Sequence, residues 1–248
     1  MSKEEAIDVE KGNADAVLAP PPPLYPKMTE DPRARWSFIR KVYSILAAQF
    51  VFTSAVGAVG AFIRPIPRFF LSRTPASLGV FLVILIIPFI ALVPMMIYRH
   101  KHPLNIIFLS IFTACISCSV MVTCAIVNAK VILEAAILTG TMFIGLTLFT
   151  FWAARKGRDF TFLFPFLFAS LHVLLIYILI QIFFPLGKVA HTVYSFVATI
   201  VFTGFIIFDT QQLIKRHNYD QYIDAAISLY LDIVNLFMSL IGLTGIAH

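Results

Sequence analysis

The sequence predicts an all-α polytopic membrane protein of seven transmembrane helices, on three observations. Hydrophobic residues fill 59% of the 248 positions and charged residues only 13%, about half the share a soluble domain needs for its surface. Seven apolar stretches, at approximately 39–62, 78–98, 104–127, 131–153, 160–184, 191–213 and 222–246, are each long enough as a helix to cross a hydrocarbon core about 30 Å thick. The segments between them are short: RPIPR, RHKHP, NAK, RKGRD, PLGK and KRHNYDQ. They leave no room for a soluble domain, and spans so closely linked must pack as one bundle with their backbone hydrogen bonds closed inside each helix.

Two regions follow: a tail at 1–35 and a seven-helix membrane domain at 36–248. The tail, MSKEEAIDVEKGNADAVLAPPPPLYPKMTEDPRAR, is charged and proline-rich without apolar periodicity, which predicts a disordered cytosolic segment. Its PPPPLYP tract has the composition of a polyproline II ligand for a protein partner, although most such tracts are plain solvated linker. RARWSFIRK (33–41) sets four basic residues around Trp36, an interfacial anchor for span one. Span two carries Pro88 and Pro94, which predict a bend. Span three holds all three cysteines, Cys115, Cys118 and Cys124; none lies in a loop, so a disulfide scaffold is excluded and helix packing is the plain reading.

The net charge is +6, but the basic residues sit in loops, where topology accounts for them better than nucleic-acid binding. Fourteen of the nineteen Lys and Arg fall on the side of the N-terminus, including Arg99, Lys101, Arg155, Lys156, Arg158, Lys215 and Arg216. The positive-inside rule makes that side cytosolic. Seven spans then put the C-terminal GIAH on the other side, whereas a re-entrant seventh segment would return it.

Spans six and seven raise the functional question. IIFDTQQLI (206–214) and LYLDIVNLF (229–237) each place one aspartate, Asp209 or Asp232, in an apolar run. On the span limits above, Asp209 lies about 6 Å from the cytosolic end and Asp232 about 15 Å, at 1.5 Å per residue. Spacing alone leaves open whether they meet. If they do, two carboxylates in one low-dielectric site cannot both ionise cheaply, and the pair tends to share one proton. Fully ionised, it attracts a hard cation such as Ca²⁺. The plainer alternative is that Asp209 caps a neighbouring helix and Asp232 stays protonated as packing glue. Thr210, Gln211, Gln212 and Asn235 add polar atoms nearby. Weaker candidates are Glu134, at a luminal entrance or snorkelling to the interface, and His172, a proton relay or a histidine bonded to another helix. Asp224 is expected to tune the mouth of the bundle.

No motif of a familiar enzyme class is present, and no cofactor is expected beyond Ca²⁺ as a permeant or bound ion. An intramembrane aspartyl protease also uses two membrane aspartates, but its glycine motif is missing from FDTQ and YLDIVN.

RKVYSILAAQ (40–49), HPLN (102–105), FDTQQLI (208–214) and SLYLDIVNLF (228–237), in this order across seven spans, resemble the transmembrane Bax inhibitor motif family and within it the Lifeguard branch. The resemblance implies six helices around a central seventh. It also implies a pH-sensitive Ca²⁺ leak through the endoplasmic reticulum or another endomembrane, with suppression of programmed cell death as its outcome. It assigns the two-aspartate proton sensor, and with it a bound calcium, to Asp209 and Asp232. One departure stands: the family's bacterial members have a basic latch inside span two, and GVFLVILIIPFIALVPMMIY has no basic residue. The competing readings are a membrane scaffold that restrains cell death through partners of the tail, and a proton-coupled transporter.

Overall fold

A computed structural model of the chain describes residues 21–63, 65–72, 74–184 and 187–245. Among them are eight helices and no strand: α1 (Pro32–Phe62), α2 (Pro65–Leu71), α3 (Pro75–Tyr98), α4 (Leu104–Ile126), α5 (Ala129–Arg155), α6 (Leu163–Phe183), α7 (Gly187–Lys215) and α8 (Tyr222–Thr244). All but the short α2 are long and apolar enough to cross a membrane, so the chain is a multi-pass membrane protein with the seven spans in the predicted order. Lys3, Lys11, Arg64, Arg73 and residues 246–248, on which part of the orientation argument rests, lie outside the described residues, as does residues 1–20 of the predicted tail.

The rest of the predicted tail is structured. Asp31 accepts a hydrogen bond from the Arg33 amide at 2.9 Å and Pro32 opens the helix, a cap that starts α1 ahead of the apolar run. Residues 21–31 lead into this cap against the bundle, with the Leu24 side chain buried among core residues. Residues 21–31 thus lie on the bundle, and Pro32 to Arg35 form the first turn of α1.

Enclosure differs sharply between the helices. In α8, 61% of the apolar window is buried, against 11–33% in the other six, so the seventh span is the central one. Its direct neighbours are α1, α4, α5 and α7, while α3 lies chiefly on α4 and α6 on α7. The outer helices present Phe89, Ile90 and Ile97 of α3 and Phe166, Val173 and Ile176 of α6 to the surroundings, the side chains a lipid-facing surface requires.

Inside the bundle polar groups find partners across helices. Pro88 has no amide, which frees the Ile84 carbonyl of the preceding turn, and the Ser119 hydroxyl of α4 donates to that carbonyl at 3.2 Å. This exchange compensates for Pro88 as α3 runs on through it. A second stitch joins α1, α4 and α8: Gln49 donates to the Thr113 hydroxyl at 2.8 Å, and the Thr53 hydroxyl lies 2.9 Å from that of Ser117 and 2.8 Å from that of Tyr230. The cysteines stay free on α4, and Cys124 packs against Gly57 of α1.

Close approach of α1 to α4 depends on Gly60, where an added Cβ would lie 2.3 Å from the Met121 carbonyl oxygen. Gly140 on α5 has open space in the same position. Gly60→Ala is therefore expected to cost about 1–3 kcal/mol through overpacking, whereas Gly140→Ala is expected to be neutral or stabilising by up to about 1 kcal/mol through helix propensity. Thermal unfolding of the two variants in detergent checks this; equal shifts would contradict a tight α1–α4 contact.

Candidate functional site

Asp209 and Asp232 meet. Their carboxylates come within hydrogen-bonding reach of each other across the α7–α8 interface. The depth mismatch expected from the sequence is closed by two effects. First, α7 continues to Lys215, so Asp209 lies six residues inside its end, about 9 Å deep at 1.5 Å per residue. Second, every helical side chain leans toward the N-terminus of its own helix. In these antiparallel helices that tilts Asp209 deeper into the bundle and Asp232 outward, so the two lean toward each other.

The pair is enclosed on the Asp232 side and borders a cavity on the Asp209 side. Asp232 is 6% exposed, and its Oδ2 together with the Oε1 of Gln212 lacks a conventional donor. Asp209 lines a cavity of about 390 Å³ whose other walls are Phe208, Gln212, Arg216, His217, Gln221 and Ser228. Among the described residues neither carboxylate forms an ion pair. No group of three or more His, Cys, Asp or Glu that could hold a metal occurs among them either. Two carboxylates and an amide oxygen fall short of the six to eight oxygens of a resident Ca²⁺ site.

The cavity is framed by the loops at the basic end. Gln211 turns away from the pair: its amide nitrogen donates to Asp159 at 2.6 Å and its oxygen accepts from the Phe160 amide at 2.6 Å. Arg216 lies 3.7 Å from Asp159 and donates to the Thr161 hydroxyl at 3.0 Å. These contacts tie the α5–α6 loop to the end of α7. The turn into that loop needs Gly157, which has a φ of +73°, open to glycine without strain. His217 is held below the usual histidine range, first by burial and secondly, among the lowering causes, by the nearby Arg35 guanidinium, so it adds no full charge to the cavity wall at neutral pH.

The remaining predicted residues lie elsewhere. Asp224 stands in the first turn of α8, 3.4 Å from Arg99, at the end where a tuning role was expected. Asn235 donates to the Leu231 carbonyl of its own helix. Glu134 lies near the opposite end of the bundle on α5, 3.9 Å from Lys130. His172 is exposed on α6 and bonds the Phe168 carbonyl one turn back at 2.8 Å. It is therefore not a relay to the acidic pair, nor does it bond another helix; the single imidazole that looked buried by hydropathy points outward.

Arg35 was missed by sequence reasoning. Counted above as an interfacial anchor, its side chain is 2% exposed and forms an ion pair with Glu30, donates to the His217 carbonyl at 2.6 Å, and lies over the rings of Tyr219 and Phe38. Tyr219 donates to the same Glu30 carboxylate at 2.8 Å. No local signal marks it, because its partners come from both sides of the helix start and from a loop 182 residues away.

With the diacid site in place, similarity to known proteins decides the family. The model of the family described as Inhibitor of apoptosis-promoting Bax1 matches residues 35–248. The chain belongs to this family. It is 54% identical over 220 residues to Protein LIFEGUARD 1 of Arabidopsis thaliana, covering 89% of this chain and 93% of that protein. It is 36% identical over 207 residues to Protein lifeguard 4 of Mus musculus, covering 84% of each. It is also 35% identical over 221 residues to the Golgi anti-apoptotic protein of vaccinia virus strain Lister, covering 86% of this chain and 87% of that one. The family match begins at Arg35 and spans both aspartates, and it bears out the resemblance drawn from their flanking residues.

Hydrogen bonds from the Thr161 hydroxyl and amide, then from Gln211, hold the Asp159 carboxyl at about 2, below its usual 3.8. A folded-state value below the unfolded one stabilises above the unfolded value and is lost as pH falls through the folded one. The loop contacts are thus expected to persist at neutral pH and loosen between about pH 4 and 2. Hydrogen-exchange protection of the Phe160 and Thr161 amides, corrected for intrinsic rates, should fall over that window; Asp159→Asn should weaken it at every pH.

Proposed function

We propose that the chain is a proton-gated leak pathway for cations, Ca²⁺ above all, in an intracellular membrane, with the N-terminus cytosolic, and that it restrains programmed cell death through this leak. It is a conduit and not an enzyme. The observation that carries the reading is the pair of carboxylates held within hydrogen-bonding reach, without a counter-cation, at the foot of a cavity that opens at the basic end. An acidic side chain inside a membrane helix is costly and is kept where a path or a partner needs it. The names of the relatives, anti-apoptotic in one case and Golgi in the same case, support the cellular outcome and the endomembrane setting.

The chemistry follows from charge. With one proton between them, the two carboxylates attract and hold α7 against α8, and offer a passing divalent cation at most one negative charge. Loss of that proton leaves two like charges in a poorly screened site, which repel each other and attract Ca²⁺. Leak should therefore rise as pH rises. Since α3 has no basic residue to latch the acids, closure depends on apolar packing beyond Asp232 and on the α7–α8 stitch, where the Thr199 hydroxyl donates to Ser239 at 3.0 Å. A constriction of that kind gates by excluding water.

Purified protein in Ca²⁺-loaded liposomes is expected to release Ca²⁺ severalfold faster at high than at low pH. Asp232→Asn and Asp209→Asn should each flatten that profile, because neither retains a pair that shares a proton. A profile unchanged in both variants, or no Ca²⁺ release from wild type at any pH, would remove the leak reading.

A further inference from the structure

Three features of the basic end converge on the loop between α7 and α8, residues 216–221. Its Arg216, His217 and Gln221 form walls of the cavity that leads to Asp209. The cavity's shape therefore depends on what holds the loop in place. On one side the α5–α6 loop does so, through Arg216 to Thr161 and through Lys215, which donates to the Arg158 carbonyl at 2.5 Å. On the other side the anchor is the segment that precedes α1.

We infer that residues 24–35 form a clamp that sets the opening of the acidic cavity, with Arg35, Glu30 and Tyr219 as its positioning residues. The deduction rests on reading that cavity as the mouth of the proposed pathway. Arg35 is a fully charged group with a side chain only 2% exposed, and a buried guanidinium is tolerated only where its donors are met. Glu30 and the His217 carbonyl meet them, and the Tyr219 ring lies 5.0 Å from its Cζ. The Tyr219 hydroxyl closes the circuit by donating to Glu30. One guanidinium thus joins the start of α1, the segment before it and the backbone of a cavity wall. The segment itself is seated at two further points: Leu24 is buried at 3% exposure, and Pro26 lies against Gly157 of the α5–α6 loop, 3.3 Å from where a Cβ would stand. The α5–α6 and α7–α8 loops are therefore both touched by the same stretch of chain. None of its residues lines the cavity, so the clamp acts on the wall and touches no ion.

Loosening the clamp should let the wall move and admit solutes to the cavity. The experiment uses the full chain in liposomes, with Cys115, Cys118 and Cys124 replaced by Ala and one cysteine placed in the cavity as Ser228→Cys. Labelling by a water-soluble thiol reagent is followed in that background and with Glu30→Gln, Tyr219→Phe or Arg35→Lys added. Each is expected to speed labelling severalfold, with Arg35→Lys the most affected, since an ammonium cannot serve the carboxylate and the carbonyl with a planar fork. Thermal unfolding of the mild Tyr219→Phe variant confirms that the fold persists. Labelling rates equal to the parent in all three would overturn the clamp whether or not the protein leaks Ca²⁺. Faster labelling without any Ca²⁺ flux would keep the clamp and remove the leak reading instead.

Discussion

The structure depends on one constraint, that Asp232 sits ten residues into a membrane helix and must not face hydrocarbon. A helix carrying an acid at that depth has one low-cost position, inside the bundle with other helices around it. That is where α8 lies, with 61% of its apolar window enclosed. The rest of the arrangement follows from surrounding it. The helix bearing the second acid packs beside it, α1, α4 and α5 complete the wall, and α3 and α6 are left at the periphery with the most lipid-exposed faces.

The same rule, that buried polar groups need partners where water is scarce, explains the bonds between helices. Thr53 meets Ser117 and Tyr230, Gln49 meets Thr113, and Ser119 serves the carbonyl that Pro88 leaves free. Some buried polar atoms stay short of partners. Asp232 Oδ2 and Gln212 Oε1 lack conventional donors near the cavity at the basic end, and the two acids meet there without a counter-cation among the described residues. Unpartnered atoms occur elsewhere too, at Tyr43, Gln49, Thr147 and Thr210, but only at the acidic pair is one of them a carboxylate oxygen among the described residues.

The basic end has a different organisation. There basic residues build a frame: Arg216 engages the α5–α6 loop, Arg99 pairs with Asp224, and Arg35 gathers Glu30, His217 and Tyr219. The residues counted for the expected orientation are the ones that build this frame, and the count carries no information on their contacts. His172 is the opposite case. Set in an apolar run it looked interior, yet on α6 most positions face outward, and its ring settles for its own helix.

By itself the sequence determined the class, the number and order of the spans, the family and the two aspartates as the focus, because hydropathy over twenty residues and an acid in an apolar run are local signals that lipid makes strict. Helix ends were less legible. Capping by Asp31 started α1 early, and two further residues at the end of α7 altered the depth of Asp209, since ends are decided by a few hydrogen bonds and not by hydropathy. Only the tertiary structure decided that the two acids touch, because their contact depends on antiparallel helices tilting their side chains toward each other. It alone decided, too, that Arg35 is buried and Glu134 remote. Those outcomes rest on partners brought from distant parts of the chain, and no local stretch of sequence encodes which partner arrives.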